Sequence, residues 1–306
     1  MNDGNHIHYL QHHEINKTKW DECISNASNG LLYANSYYLN NMSNRWDALV
    51  MGDYELVMPL TWKKKYNIFY LYQPAFTASL GIFGNDFTEI IIENFINAIP
   101  QKFKLIEIAL NYKNVLNKQF KPLIKNNYIL NLNKNYSELS SAYKENIRRN
   151  IKKAQQLNCV CKKNIPVADV IALSKPTLQS LTNINADDYA HFEKLYNFLN
   201  QQNQAITYGV YSANNELLAS CVYFFDNKRA YYILVGNHPN GKTVGASHYL
   251  IDRFINDYAG QNLLLDFEGS DIRNLAYFYS SFGAQLETYP FLKINNLPAI
   301  LKWMKK

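Results

Sequence analysis

Four pairs of identical residues lie 161 positions apart: Glu55 and Glu216, Gly84 and Gly245, Glu107 and Glu268, Tyr128 and Tyr289. A constant shift along a chain of 306 residues marks a repeated unit, and a repeat constrains the fold more than any local motif does. The surrounding stretches share a rhythm. Residues 47–74 and residues 208–235 each run from a strand through a turn into an apolar strand, a charged turn and an aromatic strand. Each copy reads as three antiparallel strands, a helix, a strand, a second helix and a last strand. The expected fold class is therefore α+β, with two tandem units: residues 1–133, and residues 134–306 including a helical connector.

The second copy is the more legible. Its first strands alternate and stop at Asn214-Asn215 and Asp226-Asn227, pairs suited to turns. A helix is expected from near Gly245, because Leu250, Ile251, Phe254, Ile255 and Tyr258 recur at helical spacing. NLLLDFEG is a short apolar run of the kind found in strands covered on both faces. NLAYFYSSFGA then reads as a short aromatic helix closing at Gly283. Between the copies, SELSSAYKENIRRNIKKAQQL lacks Gly and Pro and reads as helix, with starts offered at Ser137-Glu138 and Ser140-Ser141. Asp187 and Asp188 fall in the first turn of a further helix, where they suit its dipole.

Composition narrows the function classes. Hydrophobic residues make up 47% and charged residues 18%, a balance that builds packed cores and excludes disorder as the main state. No stretch approaches the roughly 20 apolar residues of a membrane span, so no stable membrane insertion is expected. The opening residues lack the basic flank and apolar run of a secretory signal. Cys23, Cys159, Cys161 and Cys221 are scattered, and their one close pair is C-x-C, so a reduced, cytoplasmic setting is expected. His6, His8, His12 and His13 have no Cys or carboxylate at ligand spacing, so no metal is expected. The net charge of +6 is compatible with phosphate-bearing ligands and too small to demand nucleic acid.

Four stretches could carry chemistry. In residues 236–255, small residues follow a strand and open a helix at Gly245, Ala246 and Ser247, where backbone N–H groups can approach a pyrophosphate. The same residues also suit a plain helix cap. Next, Asp266-Phe267-Glu268-Gly269-Ser270 ends a strand, and alternation puts Asp266 and Glu268 on one face. One of these carboxylates can serve as a base, or one can be ion-paired while the other is exposed. Tyr279 follows, either a proton donor for a leaving group or a core tyrosine. Finally, Lys144, Arg148 and Lys152 are spaced four apart and line one helix face, with Arg149 and Lys153 alongside. Such a stripe meets diphosphates or a nucleic-acid backbone, or is a solvated face.

A Gly-rich turn into a helix, an apolar strand, then F-Y-x-x-x-G resembles the acyl-CoA N-acyltransferase (GNAT) superfamily. The resemblance places Lys242, Thr243, Val244, Gly245, Ala246 and Ser247 in a turn that holds the pyrophosphate of CoA. It makes Tyr279 a general acid. Two such units joined by a basic helix resemble the Fem peptidyltransferases and their acetyltransferase relatives, through WDECI (residues 20–24), NIRRNIKKA (residues 146–154), LDFEGS and FYSSFGA. That likeness implies transfer of an acyl group from acyl-CoA, with acetyl-CoA the first choice, to a small-molecule or peptide amine. Asp266 or Glu268 would take the amine proton, while Val235 and the Gly245 turn would orient the donor. The first unit would shape the acceptor site. The Fem alternative implies aminoacyl-tRNA as donor and a peptidoglycan precursor as acceptor. Residues 202–206 leave no room for the coiled-coil arm that several Fem members carry, which favours CoA. A third reading is a non-catalytic module that binds a nucleotide or RNA through the Arg148 stripe.

Overall fold

The computed structural model describes residues 6–181, 184–226, 228–268 and 271–298. Asn227, Gly269 and Ser270, named above as turn and motif residues, lie outside the described residues. The chain divides into two compact units, one drawn from Met1–Lys125 and Thr288–Lys306, the other from Asn126–Glu287.

The first unit begins with β1 (Ile7–Leu10), α1 (Lys17–Asn26) and α2 (Ser36–Met42). It continues with β2 (Trp46–Met51), β3 (Leu56–Lys65), β4 (Ile68–Leu71), β5 (Phe83–Gly84), α3 (Glu89–Asn97) and β6 (Phe103–Ala109). Strands β1 to β4 run antiparallel in order, β5 pairs β3, and β4 lies parallel to β6. The crossover from β4 to β6 carries α3, as a parallel connection requires. Thr88 caps α3 by accepting the Ile91 N–H. Ile92, Phe95 and Ile96 are then buried on one stripe against Leu49, Met58, Leu60 and Ile106. Each such side chain contributes about 1.5–3 kcal/mol by leaving water.

After β7 (Leu123–Asn131) come α4 (Tyr136–Ser141), α5 (Glu145–Gln156), β8 (Val160–Lys163), α6 (Val167–Leu181) and α7 (Ala186–Gln201). They are followed by β9 (Ala205–Tyr211), β10 (Leu217–Phe225), β11 (Arg229–Asn237), α8 (Pro239–Val244) and α9 (Ala246–Tyr258). The chain ends with β12 (Leu264–Asp266), α10 (Arg273–Ser280) and β13 (Gln285–Asn295). Strands β8 to β11 are antiparallel neighbours, and β11 is parallel to β12. Leu250, Ile251, Phe254 and Ile255 of α9 are buried, and Phe254 stacks on Tyr223 of β10 with ring centroids 3.6 Å apart.

Both units thus have three antiparallel strands, a helical crossover and a parallel strand. Their starts keep the shift of 161: Leu56 and Leu217, Ile68 and Arg229, Phe103 and Leu264. The ends are exchanged. Ile129–Asn131 of β7, late in the first copy by sequence, pairs antiparallel with β12. Phe291–Asn295 of β13, late in the second copy, pairs antiparallel with β6. The expected division at 133/134 follows the chain, whereas the contacts divide it at 125/126 and 287/288 and give the last strand to the first unit.

The expected connector is two helices. Residues 142–144 interrupt it, and Asn135 rather than a serine caps α4, in a capping box with Glu138. Asn185 and Asp188 form the same box on α7. No helix among the described residues is long and apolar enough to cross a membrane.

Candidate functional site

The site follows from how β11 and β12 part. They pair over three residues, Arg229 with Leu264, Ala230 with Leu265 and Tyr231 with Asp266. Beyond Asp266 the chain stays with β7, where the Phe267 N–H donates to the Tyr128 carbonyl at 3.0 Å. β11 continues to Asn237 paired only with β10. A wedge therefore opens beside Tyr232–Asn237, at the carboxyl ends of two parallel strands, where open sheets bind ligands. A bulge marks the same place: Val222 faces Leu234 and Tyr223 faces Tyr232, which leaves Ile233 without an opposite residue. Val235 lies just beyond it and is half-buried.

Aromatic rings pack together beside the end of β12. Phe267 stacks on Tyr279 with centroids 4.6 Å apart, and Tyr232 meets both edge-on, at 6.2 and 6.3 Å. Into this apolar setting the chain places Glu268. Its Oε1 is buried and has no hydrogen-bond partner. Burial pushes its carboxyl up to about 8, because the charged form loses water and gains no partner. Its backbone is left-handed, with φ +59°, a conformation costly for a residue with a Cβ. The Tyr279 hydroxyl is raised above its ordinary value by burial and then by the nearby Glu268. Tyr279 lies in the last turn of α10.

Asp266 lives in different company. Arg229 Nη1 donates to its Oδ2 at 2.6 Å, and Asn127 donates to its Oδ1 at 2.9 Å. Arg229 also donates to Glu287 at 3.0 and 3.2 Å. Both oxygens of Asp266 are thus occupied in a buried ion network. The sequence put Asp266 and Glu268 on one strand face, but β12 ends at Asp266 and the left-handed turn at Glu268 breaks the alternation.

The other end of the wedge is formed by the two helices after β11. Lys242, Thr243 and Val244, expected in an open turn, are helical in α8, whose proline start and His238 cap suit a helix. Gly245 joins α8 to α9 at φ +80°. A Cβ there would lie 2.5 Å from the Asn150 carbonyl oxygen, so the glycine permits close packing on α5. Ala246 is buried. Ser247 donates to Asn237 at 2.5 Å and ties the first turn of α9 to the end of β11. The Tyr249 N–H donates to the Gly245 carbonyl at 3.1 Å, so α9 starts at that glycine, beside the strand end. His248, which the sequence gave no reason to choose, meets Phe278 of α10 edge-on at 4.9 Å, and burial lowers its imidazole to about 4.

The basic stripe is split in structure. Lys144 precedes α5 as its cap residue, and its Nζ sits 4.5 Å over the Tyr277 ring. Arg148 and Lys152 line a hollow of about 640 Å³ with Tyr136, Ser137 and Ser141. Arg148 also donates to the Ser141 carbonyl at 2.6 Å.

No family model matches the chain, and no curated protein matches it. Solved structures do. FemX is similar over 98% of this chain and 100% of its own, with TM-score 0.67 and 13% identity. A conserved protein of unknown function from Bacteroides thetaiotaomicron is similar over 91% of this chain and 97% of its own, with TM-score 0.57 and 12% identity. L-PGS from Bacillus licheniformis follows over 85% and 87%, with TM-score 0.51 and 9% identity. The strands that part around a helical crossover and the likeness along the whole chain agree: this protein has a GNAT-like fold, with FemX among its structural relatives.

Proposed function

We propose that the chain is an N-acyltransferase that moves an acyl group from acyl-CoA to an amine by direct attack. The observation that carries this reading is Glu268, whose buried Oε1 has no hydrogen-bond partner and whose carboxyl is raised by burial. A carboxyl raised toward neutrality is suited to take a proton from an ammonium or amine at physiological pH. The residues present fit the donor. The edge of β11 from Tyr232 to Asn237 that β12 leaves unpaired matches an extended amide chain, and the first turn of α9 suits a diphosphate. Lys242 and Thr243, exposed on α8, and Ser247 lie nearest that diphosphate in sequence, and acetyl-CoA is the first donor to try.

In the reaction, the amine nitrogen bonds to the acyl carbon and the carbon–sulfur bond breaks. Glu268 takes the proton the amine loses, and Tyr279 gives a proton to the leaving thiolate. Backbone N–H groups near the Ile233 bulge and Val235 orient the acyl oxygen and offset its developing charge. The acceptor is a small-molecule or peptide amine.

A second reading keeps the reaction and changes the donor to aminoacyl-tRNA, which the Fem resemblance implies. Arg148 and Lys152, exposed around one hollow, favour it because they offer a polyanion two cations on one helix. Thiol release from acetyl-CoA with a panel of amines tests the first reading. Wild type is expected to turn over, while Glu268→Gln and Tyr279→Phe lose roughly 100-fold in kcat. Equal turnover by all three proteins contradicts the reading.

A further inference from the structure

Glu268 does not hold its own geometry. A non-glycine residue at φ +59° persists only where neighbours over-determine it. One such constraint is visible: the Glu268 N–H donates to Asp266 Oδ1 at 2.9 Å. That carboxylate is itself held, because Arg229 engages its other oxygen at 2.6 Å and Asn127 donates to Oδ1 at 2.9 Å. Arg229 and Asp266 are 6% and 4% exposed, so water does not compete for these contacts. Glu287 takes the remaining side of the guanidinium, which leaves Arg229 facing two carboxylates from two strands.

We propose that Arg229 and Asp266 are positioning residues: through the Asp266–Glu268 hydrogen bond they lock the Glu268 backbone so that its carboxyl turns into the apolar wedge instead of water. The chain of contacts runs from a strand, β11, through a buried ion pair to one backbone N–H. It also explains the apposition of two acids two residues apart with opposite environments. One has both oxygens hydrogen-bonded; the other has a buried Oε1 with no partner, near Phe267 and Tyr279. The titratable groups near the Glu268 carboxyl are Tyr279 from α10 and, behind that ring, Tyr232 of β11 and Cys221 of β10. None of them carries a positive charge that would hold the carboxylate in place of the lock.

This inference rests on Glu268 being the base, but its test reads Glu268 directly. The carboxyl is followed by carbon NMR of labelled glutamate, assigned by Glu268→Gln, in wild type, Asp266→Asn and Asp266→Ala. Wild type should titrate near 8. Asp266→Asn has one acceptor oxygen where Asp266 uses two, so its amide must face either Arg229 or the Glu268 N–H, and it is expected to fall between wild type and Asp266→Ala. Asp266→Ala removes the acceptor, and its carboxyl should fall by more than about one unit toward the ordinary glutamate value near 4.3. In turnover, Asp266→Ala should lose roughly 100-fold in kcat with little change in the KM for donor, as expected when a reacting group is misplaced and binding is kept. A folded Asp266→Ala protein whose Glu268 titration is unmoved overturns the proposal. Should that variant fail to fold, amide exchange in wild type decides. The Glu268 N–H is expected to be protected roughly 100-fold or more over a free amide, and fast exchange there overturns the lock. If Glu268→Gln keeps full turnover, the assignment of Glu268 as the base fails while the titration result stands by itself.

Discussion

Glu268 and Glu107 occupy matching positions in the shift of 161 and have opposite fates. Glu107 sits inside β6, opposite Lys293 of β13, with 3.7 Å between Lys293 Nζ and its Oε1. Glu268 falls two residues after β12 ends, in a left-handed turn, with a buried oxygen that pairs with nothing. The earlier end of β12 separates a half-buried, paired acid from a candidate base. The consequence for stability has a sign. Below the ordinary glutamate value both native and unfolded chains carry a neutral carboxyl. Between that value and about 8 only the unfolded chain ionises, so stability falls as pH rises through this window. Glu268→Gln, neutral throughout, should therefore match wild type in Tm near pH 4 and exceed it above pH 8, by on the order of 2 kcal/mol. Parallel pH curves for the two proteins would contradict the buried, unpaired state. The same titration sets turnover: the rate should rise with slope one on a logarithmic scale and level off near pH 8.

At the scale of elements, the helix periodicity of α9 was legible because Leu250, Ile251, Phe254 and Ile255 bury one stripe, and period decides a stripe. The β11–α9–β12 order was legible for the same reason. Three features were not. Lys242–Val244 looked like an open turn because Gly241 and Gly245 frame them, yet Pro239 at the first helical position and a His238 cap make that stretch helical. Asp266 and Glu268 looked alike because alternation assumes a strand that continues, and pairing with β11 stops at Asp266. Arg229 went unnoticed, although a charged residue opening an apolar strand was its signal, because its partners lie 37 and 58 residues away in sequence. Gly245 was singled out for ligand approach, while its structure also demands close contact with Asn150. Gly245→Ala is thus expected to destabilise the chain by at least about 2 kcal/mol, from left-handed strain and the displaced carbonyl. Urea denaturation measures this, and an unchanged midpoint would show that α5 and α9 do not pack through that glycine. For the same reason Ser247→Glu is the better variant against a diphosphate, since Ser247 is half-buried and hydrogen-bonds Asn237.

At the scale of the molecule, the shift of 161 matches element order and starting points, and the exchange of end strands lay beyond it. Sequence places β7 with residues 1–133 and β13 with residues 134–306, but long-range pairing is chosen by edges, and the two strands pair the opposite way. A chain cut after Glu287 would leave β6 without its antiparallel neighbour Phe291–Asn295. An unpaired strand edge invites association. The truncated chain should therefore aggregate or lose amide protection across Phe103–Ala109, as read by hydrogen exchange; full protection there would contradict the exchange. The central claim concerns the other unit, where parting strands, the first turn of α9 and Glu268 meet at one donor wedge. Its most direct measurement is the Tm of the purified chain with acetyl-CoA and longer acyl-CoAs, for wild type and Ser247→Glu. At about 100-fold excess over Kd a bound donor adds about 2.7 kcal/mol, roughly 5 °C for a chain of this size. A rise of that order in wild type, lost in Ser247→Glu, is the predicted result. No rise with any acyl-CoA would contradict the donor assignment.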